Sequence, residues 1–123
     1  MARIKSHRDL IVWQKSMDLA EDVYRVTSEF PREEMYRLTS QVIRAVISVP
    51  ANIAEGHARG TRRDYANFLA IAKGSLMETE TFLMLAERLG YNNPKRIERT
   101  LSLVTEVSKM ITALRSRLQE TTG

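Results

Sequence analysis

Residues 62–89 carry the longest unbroken helical periodicity in the chain, and they carry it twice. Tyr65, Leu69, Ala72, Leu76, Thr79, Leu83 and Ala86 recur at three- and four-residue spacing. Phe68, Ile71, Ser75, Glu78, Phe82, Leu85 and Leu89 repeat that spacing one stripe over. Residues spaced this way stack on one face of an α-helix. One stripe satisfies one neighbour, whereas two require contacts with more than one, within the subunit or across a subunit boundary. Thr61 with Asp64 three residues on resembles a capping box with a shorter acid, and Gly90 closes the segment.

Three further runs have the same period. Leu10, Trp13, Met17, Ala20 and Tyr24 form one stripe and Val12, Leu19, Val23, Val26 and Phe30 a second, predicting a helix over about 9–29 with Asp9 as its N-cap. Phe30-Pro31 ends it, because a residue before proline is driven out of the α region. Leu38, Val42, Val46, Val49 and Ile53 predict a second helix over about 39–55, capped by Thr39 or Ser40 and closed by a left-handed Gly56. Pro50 falls inside it, removing a donor and crowding the carbonyl four residues back, so a kink is expected. Asn93 and Pro94 open a fourth helix over about 94–120, with Ile97, Leu101, Val104, Ile111, Leu114 and Leu118 as its stripe. No segment alternates as a strand does. The expectation is an all-α single domain over 1–123, an antiparallel up-down-up-down four-helix bundle.

The elements DLIVWQKSMDLAEDVY, FPREEMYRLTSQVIRAVISVPANIAEGHAR and DYANFLAIAKGSLMETETFLMLAERLGY resemble those of the four-helix-bundle proteins encoded in intervening sequences of bacterial 23S ribosomal RNA genes. The likeness covers about residues 9–91, with S-x-P-x-N-I-A-E-G as its most specific part and the fourth helix matched by pattern alone. That family is similar in fold to the accessory variability protein of diversity-generating retroelements, which partners a reverse transcriptase. The resemblance implies a homopentameric ring of bundles and nucleic-acid binding, and it implies no established biochemical activity.

Enzymatic motifs are missing. Gly56 and Gly60 are one residue too close for a phosphate loop, no lysine follows them, and a helix precedes where a strand is needed. His7 and His57 are the only histidines, a helix pair apart, and no E-x-x-H element exists for a di-metal bundle site. Glu55, Glu78 and Glu80 are the one residual carboxylate set. With no cysteine, thiolate zinc sites and disulfides are excluded, which suits a cytoplasmic setting. The start of the chain has positive charge but no apolar stretch of signal-peptide type, and no run approaches the roughly 18 apolar residues of a membrane span. The expectation is therefore a non-enzymatic protein with no metal, no cofactor and no membrane partner.

Charge is segregated along the chain. Residues 1–8 carry +3, 9–34 carry −4, 35–63 carry +4, 64–90 carry −2 and 91–123 carry +3, within a net charge of +4. The basic residues Arg37, Arg44, Arg59, Arg62 and Arg63 are the candidate nucleic-acid contacts. Arg62 and Arg63 oppose the dipole of the helix they open, an unfavourable placement that suits an external anion. Tyr65 is placed either to stack on a base or to pack in the core. Asn52, Glu55, Ser75 and Glu78 interrupt apolar stripes and are read as a buried hydrogen-bonded cluster fixing helix register, with Arg44 or a backbone donor as partner; a ligand pocket is the other reading. Two functions follow: RNA or DNA binding by a basic surface of a homo-oligomer, or an adaptor ring presenting surfaces to a protein such as a polymerase.

Overall fold

In the computed structural model, which describes residues 4–120, the four periodic segments are four α-helices. They are α1 (Ile11–Thr27), α2 (Ser40–Ala58), α3 (Arg62–Arg88) and α4 (Pro94–Gln119), and no strand occurs among the described residues. α1 packs on α2 and α4, and α3 packs on α2 and α4, so each helix touches two neighbours. Contacts between α3 and α4 descend one helix as they ascend the other: Arg62 meets Leu118, Ala66 meets Arg115, and Lys73 meets Thr112. On α1 and α4 the same trend links Lys15 with Glu106 and Asp22 with Arg96.

The buried face of each helix is the one its apolar spacing dictates. Leu19, Val23 and Val26 of α1, Val42, Val46, Val49 and Ile53 of α2, Leu69, Leu76 and Leu83 of α3, and Ile97, Val104 and Ile111 of α4 are all fully buried. Burial of one such side chain contributes about 1.5–3 kcal/mol, which is what holds amphipathic helices of ordinary propensity together. On α1 the second stripe enters this core, while Met17 and Tyr24 of the first stay half exposed. On α3 the first stripe is buried. The second is not: Ile71, Leu85 and Leu89 are half exposed and Glu78 faces water.

Several helix ends differ from expectation. Asp9 does not cap α1. The Ser6–Asp9 spacing builds a capping box of its own for a 3₁₀ turn over His7–Asp9, in which the Asp9 carboxylate accepts from the Lys5 and Ser6 amides. Neither Thr39 nor Ser40 caps α2 with its side chain, since a 3₁₀ turn (Arg32–Glu34) and a π-helical turn (Met35–Thr39) lead directly into it. α2 runs through Pro50 and beyond Gly56 to Ala58.

Gly56 is therefore a helical residue, not a left-handed cap. A Cβ there would lie 2.7 Å from Phe68 Cβ and 3.3 Å from the Tyr65 carbonyl oxygen, so its missing side chain lets α2 approach α3. The left-handed turn falls four residues later at Gly60, with φ +86°. Thr61 then accepts the Asp64 amide at 3.1 Å and starts α3, as its spacing predicts. Gly90 is left-handed and Asn93 caps α4 through the Lys95 amide, also as predicted.

Two polar ties fix the helices. Asp22, half buried on α1, accepts from Arg96 and from Thr100 on α4, the latter at 2.7 Å. Burial raises the Asp22 pKa, but the hydrogen bonds from Arg96 and Thr100 and the Arg96 charge outweigh it, holding the carboxyl below its ordinary value. At one end of the bundle Tyr91 donates to Glu34 at 2.6 Å, and Asn92 donates to the Val26 carbonyl and to Glu29.

Candidate nucleic-acid interface

The opening of α3 and the close of α4 lie side by side, and their cations converge on the groove between them. Arg62, in the first turn of α3, donates through Nη2 to the Arg117 carbonyl at 2.8 Å and through Nε to the Leu118 carbonyl at 3.3 Å. These are carbonyls of the last turn of α4, beyond the helix's own i to i−4 ladder, and that of Arg117 also accepts the Glu120 amide at 3.4 Å. Arg115 answers from α4, with Nε donating to the Ala66 carbonyl at 3.1 Å. Lys73, three turns along α3 from Arg62, donates to Thr112 Oγ1. Arg63 and Asn67 line a cleft of about 600 Å³ with Leu118, Gln119 and Glu120. A second cleft of about 400 Å³, lined by Lys73, Thr112, Arg115 and Gln119, continues it along the groove.

Each guanidinium has five donors, so the bonds that Arg62 and Arg115 make to backbone leave others facing the groove. At this end of the bundle Arg59, Arg62, Arg63, Lys73, Arg115 and Arg117 stand against Glu55, Asp64 and Glu120. The arrangement is suited to an extended polyanion, and the exposed amides opening α3 add donors of the right sign.

The five arginines singled out in the sequence do not share one surface. Arg62 and Arg63 belong to the α3–α4 groove. Arg59 turns to the other side of the corner, where it pairs with Glu55 at 2.9 Å and covers the Phe68 ring at 4.9 Å. Arg44 lines a polar groove between α2 and α3 with Gln41, Ser48, Ser75 and Glu78. Arg37 lies at the opposite end, in the π-helical turn before α2, with a non-helical backbone at φ −118° and ψ −107°. The sequence does not pick out Lys73 or Arg115: Lys73 is a lone cation in an amphipathic run, and Arg115 has beside it only Arg117, two residues on and so on another face of the helix. The signal that finds them is phase: Lys73 follows Arg62 by eleven residues, close to three turns, on the same face.

The expected buried polar cluster forms only in part. Ser75 is buried and its hydroxyl meets that of Ser48 at 2.8 Å, while Asn52 donates to the Ser48 carbonyl and hydroxyl. Ser48, absent from the expected set, is its centre. Glu55 and Glu78 do not join it. Both are exposed: Glu55 on α2 pairs with Arg59 at the surface, and Glu78 lies on the second α3 stripe, in which Ser75 is buried and Phe68 and Phe82 are only partly covered. Arg44 forms no ion pair with Glu78 among the described residues. Tyr65 packs inward, its hydroxyl buried without a partner and its ring edge-on to His57 at 5.7 Å; burial raises its pKa. Of the two expected roles of Tyr65, core packing is the one that holds. Among the described residues no group of three His, Cys, Asp or Glu is placed to hold a metal ion.

Residues 8–113, which span all four helices to within a few residues of the end of α4, match the family model for 23S rRNA-intervening sequence protein. The chain belongs to this family. A crystal structure of a protein of unknown function from the S23 ribosomal protein family of Bacteroides thetaiotaomicron is similar in fold and sequence. It is 27% identical, covers 85% of this chain and 98% of its own, and superposes with a TM-score of 0.79. No curated protein is a significant match. No helix of this family member among the described residues is long and apolar enough to cross a membrane.

Proposed function

We propose that the protein is a non-enzymatic, homo-oligomeric, up-down-up-down bundle that binds nucleic acid through the α3–α4 groove and works in the cytoplasm. The observation carrying this reading is the convergence of Arg62, Arg63, Lys73 and Arg115 on one groove beside the start of α3. Phosphate neutralisation by such cations is independent of base sequence, so RNA and DNA both suit it. A pentameric ring, implied by the family resemblance, would repeat the groove five times and raise avidity without new contacts. In this reading α2 bends at Pro50, where a carbonyl loses its donor.

The adaptor reading has its own support. Trp13, Met17 and Tyr24 on α1 and Ile71, Leu85 and Leu89 on α3 leave apolar surface that nucleic acid would not cover. The test that separates the two is purification at low salt followed by measurement of bound nucleic acid, with added generic RNA and DNA in parallel. Retained or added nucleic acid supports the first reading. A protein that stays free of both sinks it in favour of the adaptor.

A further inference from the structure

Three cationic side chains cross the seam between α3 and α4, each at its own level. Arg62 reaches from α3 to the Arg117 and Leu118 carbonyls, Arg115 reaches back from α4 to the Ala66 carbonyl, and Lys73 reaches from α3 to the Thr112 hydroxyl. Measured on α3 these levels are residues 62, 66 and 73, which at the helical rise span about 16 Å along the seam. The row is open at one end and recessed beyond it. Arg62 and its neighbour Arg63 are exposed, whereas Arg115 and Lys73 are half buried between the helices.

This placement discriminates between a strand and a duplex. Axes of packed helices lie about 8–10 Å apart, so the seam has room for one polynucleotide backbone. A duplex, whose major groove alone is about 12 Å wide, cannot enter it. Nor can a duplex laid along the row follow it from outside. One turn takes about 34–36 Å, so over about 16 Å each strand winds through nearly half a turn and carries its phosphates off a straight line. A duplex reaches the exposed Arg62 and Arg63 but not the recessed ammonium of Lys73. A single strand, free in its backbone torsions, can lie along all three crossings.

The side chains around the row determine which part of the strand enters. No aromatic ring is among the described residues that line the two clefts, so a base has nothing to stack on. Tyr65, the ring nearest in sequence to Arg62 and Arg63, packs inward. The strand therefore goes in by its phosphates, with its bases outward and unread. Glu120 is the single carboxylate in either lining, and it forms no ion pair among the described residues. It opposes the phosphates without closing the row.

We propose that the α3–α4 groove is a single-strand site, holding RNA or DNA by its phosphates with the bases left free, and that duplexes reach only its outer end. The proposal rests on the nucleic-acid reading above and narrows it to one class of polymer.

The experiment is equilibrium binding at low salt of an unstructured RNA strand, a DNA strand of the same sequence and the DNA duplex formed from it. Parent and Lys73→Gln are compared, the glutamine removing the charge while keeping a polar end for Thr112. The parent is expected to bind both single strands severalfold more tightly than the duplex. Lys73→Gln should weaken both single strands and reduce the magnitude of their logarithmic salt slope by roughly 0.7 per groove engaged, with duplex binding unchanged. Bases of the bound strand should stay as reactive to chemical methylation as those of the free strand. A duplex bound by the parent as tightly as the single strands, a Lys73→Gln variant that fails to separate the two, or bases shielded in the complex would overturn the proposal while leaving the nucleic-acid reading intact. No binding of any of the three polymers would remove both.

Discussion

Arg62, at the first turn of α3, donates to the carbonyl of Arg117 in the last turn of α4. A residue that opens one helix thus closes another, which accounts for its awkward position against the dipole of α3. The same guanidinium that suits an external phosphate satisfies backbone acceptors at the negative end of α4.

Arg62→Ala is expected to lower stability by about 0.5–1.5 kcal/mol, the usual net worth of such hydrogen bonds, and Arg63→Ala to have almost none of this effect. Urea denaturation reads the difference. Amide exchange over residues 114–119 should quicken in the Arg62 variant alone. Equal stability of the two variants would mean that the Arg62–Arg117 contact contributes nothing in solution.

Gly56→Ala offers a sharper structural test. Alanine is the better helix former by about 1 kcal/mol, so an uncrowded site would gain stability. Here the new Cβ would sit 2.7 Å from Phe68 Cβ, and α2 and α3 would have to separate. The expected outcome is a net loss of about 1–3 kcal/mol in thermal or urea unfolding. A stabilised Gly56→Ala protein would show that the helices do not approach this closely.

Much of this architecture is legible in the sequence for physical reasons that differ by element. Long helices with fully buried stripes, such as the Leu69–Leu76–Leu83 face of α3, write their period plainly. Helix ends are harder, since Asp9 and Gly56 each carry a residue type with two uses: Asp9 serves the turn before α1, and Gly56 serves helix contact. The second α3 stripe identifies a helix correctly but does not say which side is covered, so the sequence reads Glu78 as buried while the structure leaves it exposed. The basic groove is half legible. Arg62 and Arg63 are adjacent in sequence, whereas Lys73 and Arg115 join them only through the packing of α3 on α4.

Glu78→Gln should accordingly leave stability within about 0.5 kcal/mol of the parent, as for surface changes generally. Ser75→Val should cost more, because it removes one of the two partners of the Ser48 hydroxyl and leaves only the Asn52 amide. Chemical denaturation of the two variants side by side tests the assignment. A loss at Glu78 exceeding that at Ser75 would place the carboxylate back in the polar cluster.

The Asp22–Arg96 pair predicts a pH dependence. The folded-state pKa of Asp22 lies below the ordinary aspartate value of about 3.8, so its contribution is complete above the unfolded pKa. That contribution fades as pH falls through the lowered folded value. Asp22→Asn should therefore destabilise the protein at neutral pH, by about 1–3 kcal/mol if Arg96 is left poorly paired, with the gap to the parent narrowing below about pH 3.8. A gap independent of pH would mean that the loss comes from packing and not from the charge.

The most direct measurement of the central claim is the salt dependence of binding to a generic RNA and a generic DNA, for the parent and for Arg63→Ala with Lys73→Ala. Neither residue holds the α4 terminus as Arg62 does, so the fold should survive, as helical circular dichroism would verify. Each neutralised phosphate contributes a slope of roughly −0.7 on single strands and −0.9 on duplex DNA, so the double variant should bind both polymers more weakly, with a slope smaller in magnitude by about one to two units per groove engaged. Unchanged affinity and slope in the folded double variant, or no binding by the parent at low salt, would contradict the assignment of the α3–α4 groove as a nucleic-acid interface.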